Sequence, residues 1–189
     1  MEQKEKEKYQ KIWRFKEYSI YSNECNNLET IYKWAIKKPI KNITIVGCGE
    51  GYGLHYFAQK GYNVLGIDIV NVNRFSQYKF VESPIWQANI PYYLDYGYSD
   101  LIIAIDVLEH IPPEKLDNTL KNISNSCKFF YFSIFCKEDN MGKLINDNLH
   151  LSVLKPEEWL AKIREYFIIE NYNGGNVNII IKGRYKDGK

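Results

Sequence analysis

At 189 residues and 22.3 kDa the chain is long enough for one domain with a full hydrophobic core and too short for two of ordinary size. Lysine and arginine number 25 against 23 aspartates and glutamates, so the balance gives no general attraction to nucleic acid, and only a local basic patch would supply one. Four cysteines (Cys25, Cys48, Cys127, Cys136) stand at irregular spacings with no C-x-x-C pair, which argues against zinc and for reduced thiols; no window approaches the roughly eighteen apolar residues of a membrane span. The expectation is a soluble, cytoplasmic protein with no membrane attachment.

Residues 1–11, MEQKEKEKYQK, alternate acid and base and read as a solvated, fraying helix end. From Ile12 the apolar spacing becomes helical through Phe15, Tyr18 and Tyr21, with Trp13 alongside, until Ser22-Asn23-Glu24 interrupts it. Leu28, Ile31, Tyr32 and Ala35 form one face of a second helix that stops at Lys37-Lys38-Pro39.

Ile43 to Asp68, ITIVGCGEGYGLHYFAQKGYNVLGID, organises the rest. An apolar strand (Ile43 to Val46) runs into glycine at every second position (Gly47, Gly49, Gly51, Gly53), then a short amphipathic helix from about Gly51 to Lys60, a stop at Gly61, and a second apolar strand from Asn63 to Ile67. Glycine there lets the backbone take φ > 0 and brings N–H groups within reach of a ligand at the helix N-terminus. Asp68 follows Gly49 by 19 residues, where a carboxylate accepts both hydroxyls of a ribose, so the ligand is expected to carry an adenosine-like sugar. A ligand-free tight turn would use the same glycines without needing the acid.

The dinucleotide spacing G-x-G-x-x-G fails, because the sixth position is Tyr52 counted from Gly47 and Leu54 counted from Gly49. G-x-G-x-G fits, with Glu50 inside the turn; a carboxylate there would repel a pyrophosphate but is tolerable beside a sulfonium and an ammonium group.

Further strands are expected near Tyr78 to Val81, at Leu101 to Ile105, which is apolar at every position as a strand buried on both faces must be, and at Phe129 to Phe135. Pro112-Pro113 opens a helix to about Ile123, and Pro156-Glu157-Glu158 opens another to Tyr166. Phe167 to Ile169 and Val177 to Lys182 read as a closing hairpin. The sum is an α/β fold, a doubly wound seven-stranded sheet with six parallel strands and an antiparallel last one.

Residues 43–68, together with Gln87-Ala88-Asn89-Ile90-Pro91 and SDLIIAIDVLEHIPPEKL at 99–116, resemble motif I, the acidic loop and the fourth-strand motif of class I S-adenosylmethionine-dependent methyltransferases, and the likeness covers roughly residues 28–182. It implies a Rossmann-like fold and S-adenosyl-L-methionine as cofactor. The turn (Gly47, Cys48, Gly49, Gly51) would cradle it, Asp68 would hold the ribose, Ile69 would pack on the adenine, and Asn89 with Ile90 would meet the adenine edge, although aspartate is commoner in the family where Asn89 stands. The backbone at Ile105 and Asp106 would meet the methionine moiety. Residues 1–27 would be a helical lid or an extension packed on the sheet edge, 28–182 the core, and the polar stretch 136–154 an insertion facing the acceptor.

Methyl transfer is an in-line displacement that needs an aligned nucleophile and, for oxygen or nitrogen, a proton acceptor. The catalytic candidates are Asp106, His110 and His150, with Glu109 beside them; His55 reads as structural. Asp106 to His110, D-x-x-E-H, also resembles the E-x-x-E-H cluster by which ubiquinone-pathway O-methyltransferases and small-RNA terminal 2′-O-methyltransferases hold a divalent ion, with His150 as a further ligand, but leucine-glutamate-histidine occurs as well in members that bind none. The leading expectation is methyl transfer to oxygen or nitrogen of a small polar acceptor such as a sugar, a nucleotide or another metabolite. Two alternatives stand beside it: a metal-assisted RNA or nucleotide 2′-O-methyltransferase, and a non-catalytic cofactor-binding subunit with an interface of Trp13, Tyr18, Trp86, Tyr92 and Tyr93.

Overall fold

Two apolar strands, β1 (Asn42–Val46) and β4 (Ser99–Ile105), lie side by side in parallel register, Ile43 opposite Leu101, at the middle of a seven-stranded sheet. The structure is a computed structural model that describes residues 2–24, 28–88, 90 and 98–186. From β1 the chain builds outward through β2 (Asn63–Asp68) and β3 (Lys79–Glu82), then crosses back to β4 and β5 (Cys127–Phe135) on the other side. Strand order therefore reverses beside β1, and a crevice opens at the carboxyl ends of β1 and β4. The last two strands, β6 (Phe167–Gly174) and β7 (Asn178–Tyr185), form the expected hairpin; β7 sits between β5 and β6 and alone runs against the others.

Alternation along the central strands divides the core into two layers. Ile43 and Ile45 of β1 and Leu101 and Ile103 of β4 point to one face, where α3 (Leu28–Ala35) brings Ile31 and Ala35 and α4 (Tyr52–Gln59) brings Leu54 and Phe57. Val46, Ile102 and Ala104 point to the other, against Leu116, Leu120 and Ile123 of α5 (Pro113–Ser124) and Trp159 and Ile163 of α6 (Pro156–Tyr166), residues set three or four apart on their helices. Each such aliphatic side chain, fully removed from water, contributes about 1.5–3 kcal/mol. The prolines at the starts of α5 and α6 occupy first-turn positions whose N–H groups need no intrahelical partner, and at α6 the Glu158 carboxylate accepts the Lys155 N–H at 2.7 Å.

The amino-terminal charge run departs from expectation. It is the helix α1 (Glu2–Ile12), and one stripe of it, Glu5, Lys8 and Ile12, is buried. Lys8, 3 % exposed, pairs with Glu5 one turn before it and donates to the Asn148 carbonyl at 3.0 Å, so the acid and base neutralise each other where they are covered. The helical spacing read from Ile12 starts where α1 ends: the chain turns through Trp13 to Phe15, and α2 (Lys16–Glu24) follows. Among the described residues no helix is long and apolar enough to cross a membrane, and Cys48, Cys127 and Cys136 are free thiols.

Candidate active site

After β1 the backbone turns through Gly47, Gly49 and Gly51 at φ +63°, +49° and +84°, the left-handed region expected of them, whereas Gly53 is already an ordinary residue of α4. A Cβ at Gly47 would stand 2.2 Å from Val107 Cγ2, so the turn and the end of β4 approach as closely as glycine permits. Gly47→Ala is expected to lose about 2–4 kcal/mol of stability from left-handed strain plus overpacking, read as a lower urea midpoint.

Asp68 ends β2 at the same level. It is 8 % exposed; its two carboxylate oxygens accept the Gly49 N–H at 2.9 Å and the Val70 N–H at 3.2 Å. Burial pushes its pKa up to about 6 in spite of those hydrogen bonds, which pull it down. Glu50 is a correction to the sequence reading: its carboxylate is buried under Arg74, which donates through Nε at 2.8 Å, and under Ser19 of α2, which donates at 3.0 Å, so its charge is spent within the fold rather than beside a ligand.

A cavity of about 240 Å³ is lined here by Gly47, Asp68, Ile69, Asp106 and Val107. Asp106 adopts φ +51°, uncommon for a side chain with a Cβ and costing of order 1–3 kcal/mol where it occurs. Trp86 and its neighbours after β3, Phe135 at the end of β5 with Asp139 and Met141 beyond it, and Tyr9, Trp13 and Tyr18 of the amino-terminal segment also line it.

The chemistry-bearing side chains meet at one end. Glu109, in a 3₁₀ turn (Leu108–His110) after β4, is fully buried; Oε1 accepts the Phe135 N–H at 2.6 Å, and its backbone carbonyl accepts the N–H groups of Leu151 and Ser152, each at 2.8 Å. That stitching brings His150 to His110, with rings edge to face at 4.7 Å between centroids. Oε2 of Glu109 has no hydrogen-bond partner among the described residues, and burial, with Asp106 adding to it, holds the carboxyl well above its usual range.

His150 Nδ1 lies 2.6 Å from the Lys137 carbonyl and His110 Nδ1 3.0 Å from the Leu149 carbonyl. A carbonyl only accepts, so each Nδ1 carries a proton, and in the neutral form of each ring the lone pair lies on Nε2. The Tyr9 phenol oxygen, 2.8 Å from His110 Nδ1, shares that N–H. Burial, then the neighbouring His150, pushes the His110 pKa down to about 3, so it stays neutral. Donor atoms of Glu109, His110 and His150 all lie within 4.8 Å of one another.

Gly47, Asp68, Ile69, Asp106, His110 and His150 thus share one cavity, while Ile90 packs in the core at 1 % exposure and Asn89, Tyr92 and Tyr93 lie outside the described residues. Trp13, Tyr18 and Trp86, which an interface would need on the outer surface, line the cavity instead. His55 is structural as expected, stacked on Phe75 at 4.7 Å with Nδ1 bonded to the Tyr78 hydroxyl at 2.9 Å. Tyr9 escaped the sequence reading; its signal was the stripe Glu5, Lys8, Tyr9, Ile12 at helical spacing, masked by two charges.

No curated protein matches the chain. The PH0226 protein from Pyrococcus horikoshii OT3 superposes with a TM-score of 0.70 at 16% identity, over 88% of this chain and 91% of its own. The N-methyltransferase NodS from Bradyrhizobium japonicum WM9, solved with S-adenosyl-L-homocysteine, gives 0.65 at 13% over 95% and 99%. The 1,6-didemethyltoxoflavin-N1-methyltransferase from Burkholderia thailandensis, solved with 1,6-didemethyltoxoflavin and S-adenosylhomocysteine, gives 0.62 at 17% over 95% and 89%. At such identities these likenesses establish the fold. The family model described as a methyltransferase domain matches residues 35–169, a span that holds the glycine turn, Asp68 and His150 together, so the chain belongs to the methyltransferase domain family and is an S-adenosylmethionine-dependent methyltransferase.

Proposed function

We propose that the enzyme methylates an oxygen or nitrogen of a small polar acceptor, with His150 as the base. One observation carries the reading: His150, 6 % exposed on the cavity wall, is oriented through Nδ1–H to the Lys137 carbonyl, which leaves Nε2 as a lone pair for an acceptor proton. Asp106 would orient the acceptor and contact the methionine moiety, and His110, neutral and tied to Leu149 and Tyr9, would hold His150 in place.

The residues fit the cofactor, because the glycine turn, with Gly47 at positive φ, and the buried Asp68 carboxylate meet at one cavity. Gly47, Cys48, Gly49 and Gly51 would cradle it, Asp68 would accept the ribose hydroxyls, and Ile69, Asn89 and Ile90 would meet the adenine. When bound, S-adenosylmethionine supplies an electrophilic methyl group and leaves as S-adenosylhomocysteine. Residues 1–27 would serve as a lid, since Tyr9, Trp13 and Tyr18 line the cavity, and 136–154 would face the acceptor. The toxoflavin enzyme was solved with 1,6-didemethyltoxoflavin bound. Label from methyl-tritiated S-adenosylmethionine is expected to enter the small-molecule fraction of a cell extract; label confined to macromolecules would overturn the proposal.

A second reading, metal-assisted 2′-O-methylation of a nucleotide or RNA, is favoured by the convergence of Glu109, His110 and His150 and by the unpartnered Glu109 Oε2. Asp106 is not part of that group. Saturable manganese binding and loss of transfer on chelation would establish it; full activity under chelation would end it.

A further inference from the structure

The charge and surface of the cavity narrow the acceptor, and the step rests on the cofactor reading above. Among the described lining residues there is no lysine or arginine, while Asp68, Asp106, Glu138 and Asp139 all line the cavity. The undescribed residues add no arginine and a single lysine, Lys189, so no hidden set of cations redresses the balance. The nearby cation Lys8 is engaged with Glu5 and the Asn148 carbonyl. The carboxylates act on their surroundings: the Tyr18 hydroxyl is held far above its usual pKa by burial and then by Asp68, Asp139, Asp106 and Glu109.

Not all of this negative charge is needed for the cofactor. Asp68 stands at the end of β2 where a ribose belongs, but Glu138 and Asp139 come from the segment after β5; Glu138 is exposed, and Asp139 also accepts the Met141 and Gly142 N–H groups, one on each oxygen. Trp13 and Tyr18, edge to face at 4.9 Å, and Trp86 line the same cavity. Aromatic faces beside carboxylates attract planar π systems and cations, and they penalise a phosphate or carboxylate that must shed water next to a like charge.

We infer that the acceptor is a planar ring compound with no anionic group, neutral or cationic where it enters the cavity. This counts against sugar phosphates and against the nucleotide or RNA of the second reading above, and the ring packs on the aromatic lining while the Glu138 and Asp139 carboxylates select its charge.

Three probes of one ring system test this: tryptamine, indole and indole-3-acetate, titrated by ligand-observed NMR into protein saturated with S-adenosylhomocysteine. Tryptamine is expected to bind tightest and indole-3-acetate at least tenfold more weakly, with indole between them. In Glu138→Lys, a change at an exposed position, the gap is expected to shrink threefold or more, and titration with S-adenosylhomocysteine reports separately whether the variant is folded. Indole-3-acetate equalling tryptamine, or none of the three binding the loaded protein, would overturn the acceptor class and leave the cofactor reading standing. Failure of S-adenosylhomocysteine itself to bind would bring down the cofactor reading, and this inference with it.

Discussion

Asp68→Ala is expected to weaken S-adenosylhomocysteine binding at least a hundredfold while the protein stays folded, measured by calorimetric titration at pH 7.5. A carboxylate accepting two ribose hydroxyls makes two charge-assisted hydrogen bonds, each of about 1.5–3 kcal/mol, so a loss of ~3 kcal/mol or more follows from removing it. The same residue sets a pH dependence. Its folded pKa is raised to about 6, so the wild type should bind the ligand progressively more weakly as pH falls below 6 and the acceptor oxygens take up a proton. For the ligand-free protein the sign is opposite. The folded state holds this proton more tightly than the unfolded chain does, so the stabilisation is present below the unfolded value near 4 and disappears as pH rises through 6. The cost above pH 6 is about 3 kcal/mol, an order of magnitude derived from the shift. Buried Glu109, also raised, slopes the same way. Urea midpoints should therefore fall between pH 4.5 and 7 in the wild type and fall less in Asp68→Ala. Retained binding in the variant would remove Asp68 from the cofactor site.

What was legible in the sequence follows from where physics is local. The strands β1 and β4 and the helices α3, α4, α5 and α6 could be read within a residue or two, because a strand buried on both faces must be apolar throughout and a helix on a sheet must repeat every three or four residues. Gly47 and Asp68 were legible because a turn at φ > 0 and a buried acid each leave a residue type that little else requires. α1 was not. Its buried stripe carries Glu5 and Lys8, whose cost of burial is offset only by pairing with each other and with the Asn148 carbonyl 140 residues away, and composition read along the chain cannot see that partner. The direction of Glu50 was hidden likewise, since Arg74 and Ser19 reach it from two separate segments. In the sequence His150 joins His110 only as a further ligand of the D-x-x-E-H cluster; what creates their meeting is the Glu109 carbonyl gripping the Leu151 and Ser152 N–H groups, a contact of two backbones with no side-chain signature.

That meeting supports the second large effect. His150→Ala is expected to lower kcat by about 10²–10³ for whichever acceptor a labelled screen identifies, with S-adenosylhomocysteine affinity and the acceptor KM changed no more than about threefold. Three residues at the cavity are the catalytic candidates marked in the sequence. His110 is held near 3 by burial and by His150, and so poorly basic a nitrogen gains little from a proton. Asp106 directly follows β4, where it would meet the methionine moiety and orient the acceptor rather than take its proton. His150 remains, with Nδ1–H fixed on Lys137 and its ring against Phe135 at 5.5 Å. Removing the ring also leaves a void beside Phe135, worth about 1–3 kcal/mol of stability, so the thermal midpoint should be followed and rates compared well below it. His110→Gln is the control: it preserves a polar group near Tyr9 and should lose far less kcat than His150→Ala. Equal losses would mean that the two imidazoles act as one unit, as shared metal ligands would, and a His150→Ala enzyme that kept its kcat would show that the acceptor needs no base.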